Sequence, residues 1–103
     1  MTGAVFSGDA VRFVGGEDNV RRFKLIESRP VERLSCRQCG ASIGICVPPL
    51  NFYDICVGIL QNFEFKPSIH VNYQERVMSM QDGLPKFRDL PKSTGGTGDK
   101  MPE

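Results

Sequence analysis

A mainly β fold is what this sequence predicts, and three features carry that expectation. Its apolar residues come in short runs that alternate with polar ones or stand between turn residues, the period of strands rather than of helices. Proline and glycine punctuate those runs. Pro48-Pro49-Leu50-Asn51 is the firmest break, because two consecutive prolines remove the amide donors that a helix needs. The third feature is Leu34-Ser35-Cys36-Arg37-Gln38-Cys39-Gly40, in which two cysteines separated by two residues are followed at once by glycine. Such a turn aims both sulfurs at one spot, and Gly40 supplies the left-handed conformation it requires. Strand-like runs enter it at Glu32 to Ser35 and leave it at Ser42 to Val47, as in a zinc knuckle.

Taken in order, Met1 to Asp9 is small and polar and reads as an irregular lead-in. Ala10 to Val14 alternates weakly and is bounded by Gly15-Gly16, which predicts a strand ending in a turn that Glu17-Asp18-Asn19 continues. Val20 to Ile26 then returns as the second strand of a hairpin, with Phe23 and Leu25 on one face and Arg22 and Lys24 on the other; Arg21, Arg22 and Lys24 read as a solvated face. Beyond the knuckle, Asp54 to Leu60 is the most apolar run, predicted as a strand covered on both faces. Phe63 and Phe65 follow and read as core, as does Phe87. Ile69 to Tyr73 alternates strictly about His70 and Asn72 and predicts another strand, whereas Gln74 to Met80 fits a helical turn or a continuing strand equally. Gln81-Asp82-Gly83-Leu84-Pro85 is a turn that the Asp82 side chain fixes, and Leu84, Phe87 and Leu90 recur at three-residue steps, one apolar stripe on a short turn of helix expected to dock onto the sheet. The expected organisation is one β-rich domain over residues 1–91 and a flexible tail over 92–103.

Composition narrows the function classes. The formal net charge of +1 over 103 residues leaves no basic stripe for nucleic acid and no acidic block. No apolar run is long enough to span a membrane, and the N-terminus lacks the pattern of a signal peptide. The four cysteines are therefore expected as thiols or metal ligands in the cytoplasm rather than as a disulfide framework.

Several motifs, in order, resemble the glutathione-dependent formaldehyde-activating enzyme family, which includes centromere protein V. Ser35-Cys36-Arg37-Gln38-Cys39-Gly40 resembles the family's Cys-x-x-Cys-Gly knuckle, apart from Ser35 in place of an aromatic. Pro67-Ser68-Ile69-His70-Val71 is similar to the proline and His-Ile strand, and Asp82-Gly83-Leu84-Pro85 to the closing Asp-Gly-Leu-Pro. Gly95-Gly96-Thr97-Gly98 resembles a Gly-rich tail of one bacterial branch, and Thr2-Gly3 a segment just after the family's catalytic cysteine cluster. The resemblance implies a zinc-held β-tent truncated at its N-terminus. It also implies a family activity of carbon–sulfur lyase type, the joining of glutathione and formaldehyde into S-hydroxymethylglutathione, for which this chain lacks the catalytic zinc cysteines. No turnover is expected of the chain alone. The alternatives are a binding or assembly module, or a fragment completed by another chain.

The candidate ligands follow. Cys36 and Cys39 form half of a structural zinc site, which takes four ligands. The competing readings are a reduced pair kept by descent, or a redox pair, although redox use of Cys-x-x-Cys wants a helix N-terminus. Cys46 and Cys56 flank the turn at Asn51 and would face each other if it closes a symmetric hairpin; they read as small core residues before ligands. His70 reads as a packed histidine held through one nitrogen, not as a catalytic one. Loss of the first cysteine pair exposes a sheet edge, so a homodimer is the expected assembly.

Overall fold

The structure is a computed structural model that describes residues 1–14 and 16–103; Gly15, part of the turn expected at Gly15-Gly16, lies outside the described residues. It divides into two units, Met1–Phe65 and Lys66–Glu103.

The first unit holds β1 (Gly3–Ser7), β2 (Val20–Phe23), β3 (Glu32–Cys36), β4 (Ser42–Val47) and β5 (Phe52–Cys56), paired antiparallel as one open sheet in the order β1-β5-β4-β3-β2. The mainly β expectation holds at this level. At its centre Gly44 lies across from Leu34 on one side and Ile55 on the other, so the three share a row. Leu34 and Ile55 are buried, with Cys46 and Val47 beside them. Gly44 takes φ 150°, and a Cβ there would strike the Asp54 carbonyl oxygen, so only glycine lets β4 and β5 approach this closely.

Four elements differ from their sequence expectation. The lead-in is a strand: Gly3 to Ser7 pairs with β5 from Gly3↔Cys56 to Ser7↔Phe52. Ala10 to Val14 is not a strand. Ser7 Oγ accepts from the Asp9 amide at 3.3 Å, starting a 3₁₀ turn over Gly8–Ala10 that diverts the chain out of the ladder. The expected hairpin is absent with it, because a 3₁₀ turn at Glu17–Asn19 delivers β2 to β3 instead, with Val20 opposite Cys36. Finally, the apolar run beginning at Asp54 stays in the sheet only to Cys56. Val57–Ile59 turns as 3₁₀, and Ile59 is 47% exposed. Phe63 and Phe65 are also partly exposed rather than core, Phe63 meeting Phe6 edge-on at 5.8 Å between ring centres.

The second unit contains no multi-residue strand among its described residues. His70 makes a single parallel bridge to Lys86 and Phe87 an antiparallel one to Lys100, so the strand expected at Ile69 to Tyr73 reduces to one bridged residue. Tyr73–Glu75 is a 3₁₀ turn entered through Asn72 at φ 52°. The turn at Asp82-Gly83 forms as expected, with Asp82 Oδ1 accepting from the Leu84 amide at 3.1 Å and Gly83 at φ 76°. No helix is found over Leu84 to Leu90. Residues 92–103 carry a 3₁₀ turn at Lys92–Thr94, and Met101 donates its amide to the Lys86 carbonyl at 2.7 Å.

No helix of the chain is long and apolar enough to cross a membrane among the described residues.

Candidate metal centre at the β3–β4 turn

The turn between β3 and β4 is tight because its backbone closes on itself. The Cys36 amide donates to Ala41 O at 2.9 Å and the Gly40 amide donates to Cys36 O at 2.9 Å, while Gly40 adopts φ 76°. A Cβ on Gly40 would meet nothing, so glycine is required here by the backbone angle alone. A register shift between Leu34 and Ser35 lets the last residues of β3 bend into the turn. Asn19 braces it from the side. Its carbonyl accepts from the Arg37 amide at 2.7 Å, and its side-chain oxygen accepts from Gln38 Nε2 at 3.4 Å. Asn19 was invisible as a site residue in the sequence, where it read as part of a hairpin turn.

This geometry acts on Cys36. The Cys39 amide, then the Gln38 amide and the Cys39 thiol, are directed at its sulfur and hold the thiol below the ordinary cysteine range, against a smaller opposing effect of burial. Cys36 is partly exposed and Cys39 exposed, so both sulfurs are open to an incoming ligand or ion. Amide donors that favour the thiolate are what a metal-ligating cysteine needs, since the thiolate is the ligand. Two thiols supply two positions of a tetrahedral zinc site. Among the described residues no group of three or more His, Cys, Asp or Glu side chains stands close enough to hold a metal ion.

The other two cysteines lie elsewhere. Cys46 on β4 pairs across to Tyr53, not to Cys56, because the 3₁₀ turn at Pro48–Leu50 and the left-handed Asn51 place Val47 opposite Phe52. The expected Cys46–Cys56 juxtaposition is thereby corrected. Cys46 is buried, takes a hydrogen bond from Arg22 Nη1 at 3.3 Å and lies 3.5 Å from Glu32 Oε2. Burial first, and Glu32 second, push its thiol up, so it stays protonated. Arg22 is accordingly not a simply solvated residue: it bridges Cys46 and Glu32. Cys56 sits at the end of β5 with Ser42 Oγ at 3.5 Å.

His70 belongs to a separate polar cluster in the second unit. Its Nε2 is 2.6 Å from Asp82 Oδ2, and Lys86 Nζ donates to Asp82 Oδ1 and to Leu84 O, each at 2.7 Å. Lys86 is buried, a position that no sequence signal singled out. A 310 Å³ groove in the first unit is lined by Phe6, Val11, Phe13, Ile55 and Leu60 among others, with Arg12 its one charged residue; it offers apolar surface and no nucleophile.

Comparison of the chain with family models, with curated proteins and with solved structures finds no match in any of the three.

Proposed function

We propose that this chain is the β-rich portion of a glutathione-dependent formaldehyde-activating enzyme-like protein, of the zinc-knuckle β-tent type, in which Cys36 and Cys39 are two thiolate ligands of a structural zinc. The observation that carries the reading is the tight turn closed by the Cys36–Ala41 and Gly40–Cys36 backbone hydrogen bonds and the left-handed Gly40, which leaves Cys36 partly exposed and Cys39 exposed. Zinc bound there would cross-link the β3–β4 turn to whatever supplies the remaining two ligands, another segment or a second copy. Thiol ligands need a reducing compartment such as the cytoplasm. The family's carbon–sulfur chemistry on glutathione requires an open zinc position held by three further ligands, so the chain alone is inactive in this proposal.

Competition for zinc against a chromophoric chelator, under reducing conditions, tests the ligands. Zinc uptake that disappears in Cys36→Ser and in Cys39→Ser, but persists in Cys56→Ser, is expected; uptake unchanged by both knuckle substitutions would refute it. Exchange spectroscopy of glutathione and formaldehyde tests the second part. A zinc-dependent acceleration by the isolated chain would contradict inactivity.

A homodimer is the assembly proposed, and one edge of the sheet favours it. The Gly8 amide donates to Asn51 O and the Val57 amide to Thr2 O, so the even-numbered residues of β1 bond inward and the backbone of Gly3, Val5 and Ser7 faces the free edge. β1 carries no charge, and Val5 is 62% exposed. The opposite edge, β2, carries Arg21 and Arg22, the usual guard against pairing. Two copies joined antiparallel at β1 would form one continuous sheet.

A further inference from the structure

The Lys86 cluster has one donor that the turn itself does not satisfy. An ammonium carries three N–H groups, and two of them go to Asp82 Oδ1 and Leu84 O at 2.7 Å. The third has the Glu103 carboxylate, whose Oε2 stands 3.6 Å away, and the more distant face of the Tyr73 ring, its centre 5.9 Å from Nζ. The other oxygen of that carboxylate, Oε1, accepts from the Gly83 amide at 3.1 Å. One carboxylate thus straddles a backbone N–H and a buried ammonium, each oxygen on its own donor.

The donors are held rigidly, whereas the acceptor is not. His70 Nε2 pins Asp82 Oδ2 at 2.6 Å, leaving Oδ1 for Lys86 and the Leu84 amide. The Lys86 side chain is only 1% exposed, while that of Glu103 is 38% exposed. The last backbone hydrogen bond that anchors the approach to Glu103 is the one from the Met101 amide to the Lys86 carbonyl. Gly83, at φ 76°, keeps its amide outside the turn's own hydrogen bonds.

We propose that the Gly83 amide and Lys86 Nζ form a binding site for the carboxylate of a small molecule, and that Glu103 fills it as an internal stand-in which such a ligand displaces. The two oxygens of a planar carboxylate match the two donors, and the buried ammonium supplies the opposite charge with little competing water. Displacement exchanges both Glu103 contacts, the 3.1 Å hydrogen bond from the Gly83 amide and the 3.6 Å approach to Lys86, for those of the ligand and releases the side chain to solvent. The site is independent of the two knuckle cysteines.

Amide spectra of the full ¹⁵N-labelled chain test it, with acetate as the probe, acetamide as the neutral control and ionic strength held constant. Glu103→Gln is expected to move the Gly83 resonance and to let acetate produce a saturable shift at Gly83 and Leu84 that acetamide does not. The wild-type chain should need several-fold more acetate, because a tethered competitor acts at roughly millimolar effective concentration. Lys86→Met should abolish the response. If Lys86→Met unfolds the unit, the wild-type and Glu103→Gln titrations still decide. Equal responses to acetate and acetamide in Glu103→Gln, or equal acetate requirements in wild type and Glu103→Gln, would overturn the proposal.

Discussion

Asp54 in the first unit and Asp82 in the second are both carboxylates, and they are treated in opposite ways. Asp54 lies on β5 beneath Gly3, where its Oδ1 is buried with no hydrogen-bond partner, and burial pushes its carboxyl above the usual range. Asp82 is held by Lys86 first, then by His70 and the Leu84 amide, and its carboxyl falls well below that range. The first unit gathers apolar side chains, Leu34, Val47 and Ile55, and tolerates one unpaired acid among them. The second buries Tyr73 and Lys86 and has no multi-residue strand, so its order comes from a charge network and single bridges. One sequence thus uses hydrophobic burial in one region and paired charge in the other. The two should fail under different stresses.

The largest effect should come from the sheet. Leu34→Ala removes the most buried apolar side chain and leaves a cavity against Gly44 and Ile55, so a loss of about 2–5 kcal/mol is expected in denaturant unfolding followed at residues of β3 to β5. A loss well under this would mean that the row closes up and the sheet core is loosely packed. Lys86→Ala should act next and elsewhere, abolishing amide protection at Tyr73 and Phe87 while Ile45 and Cys46 keep theirs. Equal loss in both regions would break the distinction.

Acid sharpens it further. Asp82 has a folded value below its unfolded one, so its stabilisation is present above about pH 4 and disappears as pH falls toward the depressed value. Asp54 has the opposite sign: its proton is favoured in the fold, so stability is greatest below about pH 4 and declines as pH rises through its raised value. Amide exchange between pH 2 and 6 should therefore show protection at Phe87 rising with pH up to about pH 4 while protection at Ile55 falls above it, and Asp54→Asn should flatten only the second slope. Parallel slopes would contradict the assignment. The smallest expected effect on stability is Val5→Lys, within about 0.5 kcal/mol, because the side chain is exposed. In sedimentation equilibrium the same change should nonetheless dissociate the proposed homodimer, whereas a dimer that survives it does not pair through β1.

Local chemistry explains which parts of this were legible in the sequence. The strands flanking the Cys36–Cys39 turn, the left-handed Gly40, the break at Pro48 to Asn51 and the Asp82 turn all follow from residues acting within a few positions of themselves. Pairing partners did not. β1 lies within a lead-in, Met1 to Asp9, that reads as irregular through Gly3, Ser7 and Gly8, and it exists through its ladder with β5. Ala10 to Val14 alternates like a strand yet has no ladder, since Ser7 caps a turn just before it. Cys46 and Cys56 lie on opposite sides of the turn as expected but miss each other through the register set by Asn51. Lys86 carried no signal, because a buried lysine is recognisable only once its carboxylate partners are in place.

The state of the Cys36 sulfur is the most direct test of the proposed metal half-site. Alkylation of the reduced full chain, followed peptide by peptide by mass spectrometry as pH is raised, reads each thiol separately. Cys36 should show an inflection clearly below the ordinary cysteine value of about 8.5, and Cys46 should react last because it is buried and held by Arg22 and Glu32. An inflection for Cys36 at or above that ordinary value would mean that the turn does not favour a thiolate, and the proposed zinc knuckle would lose its chemical basis.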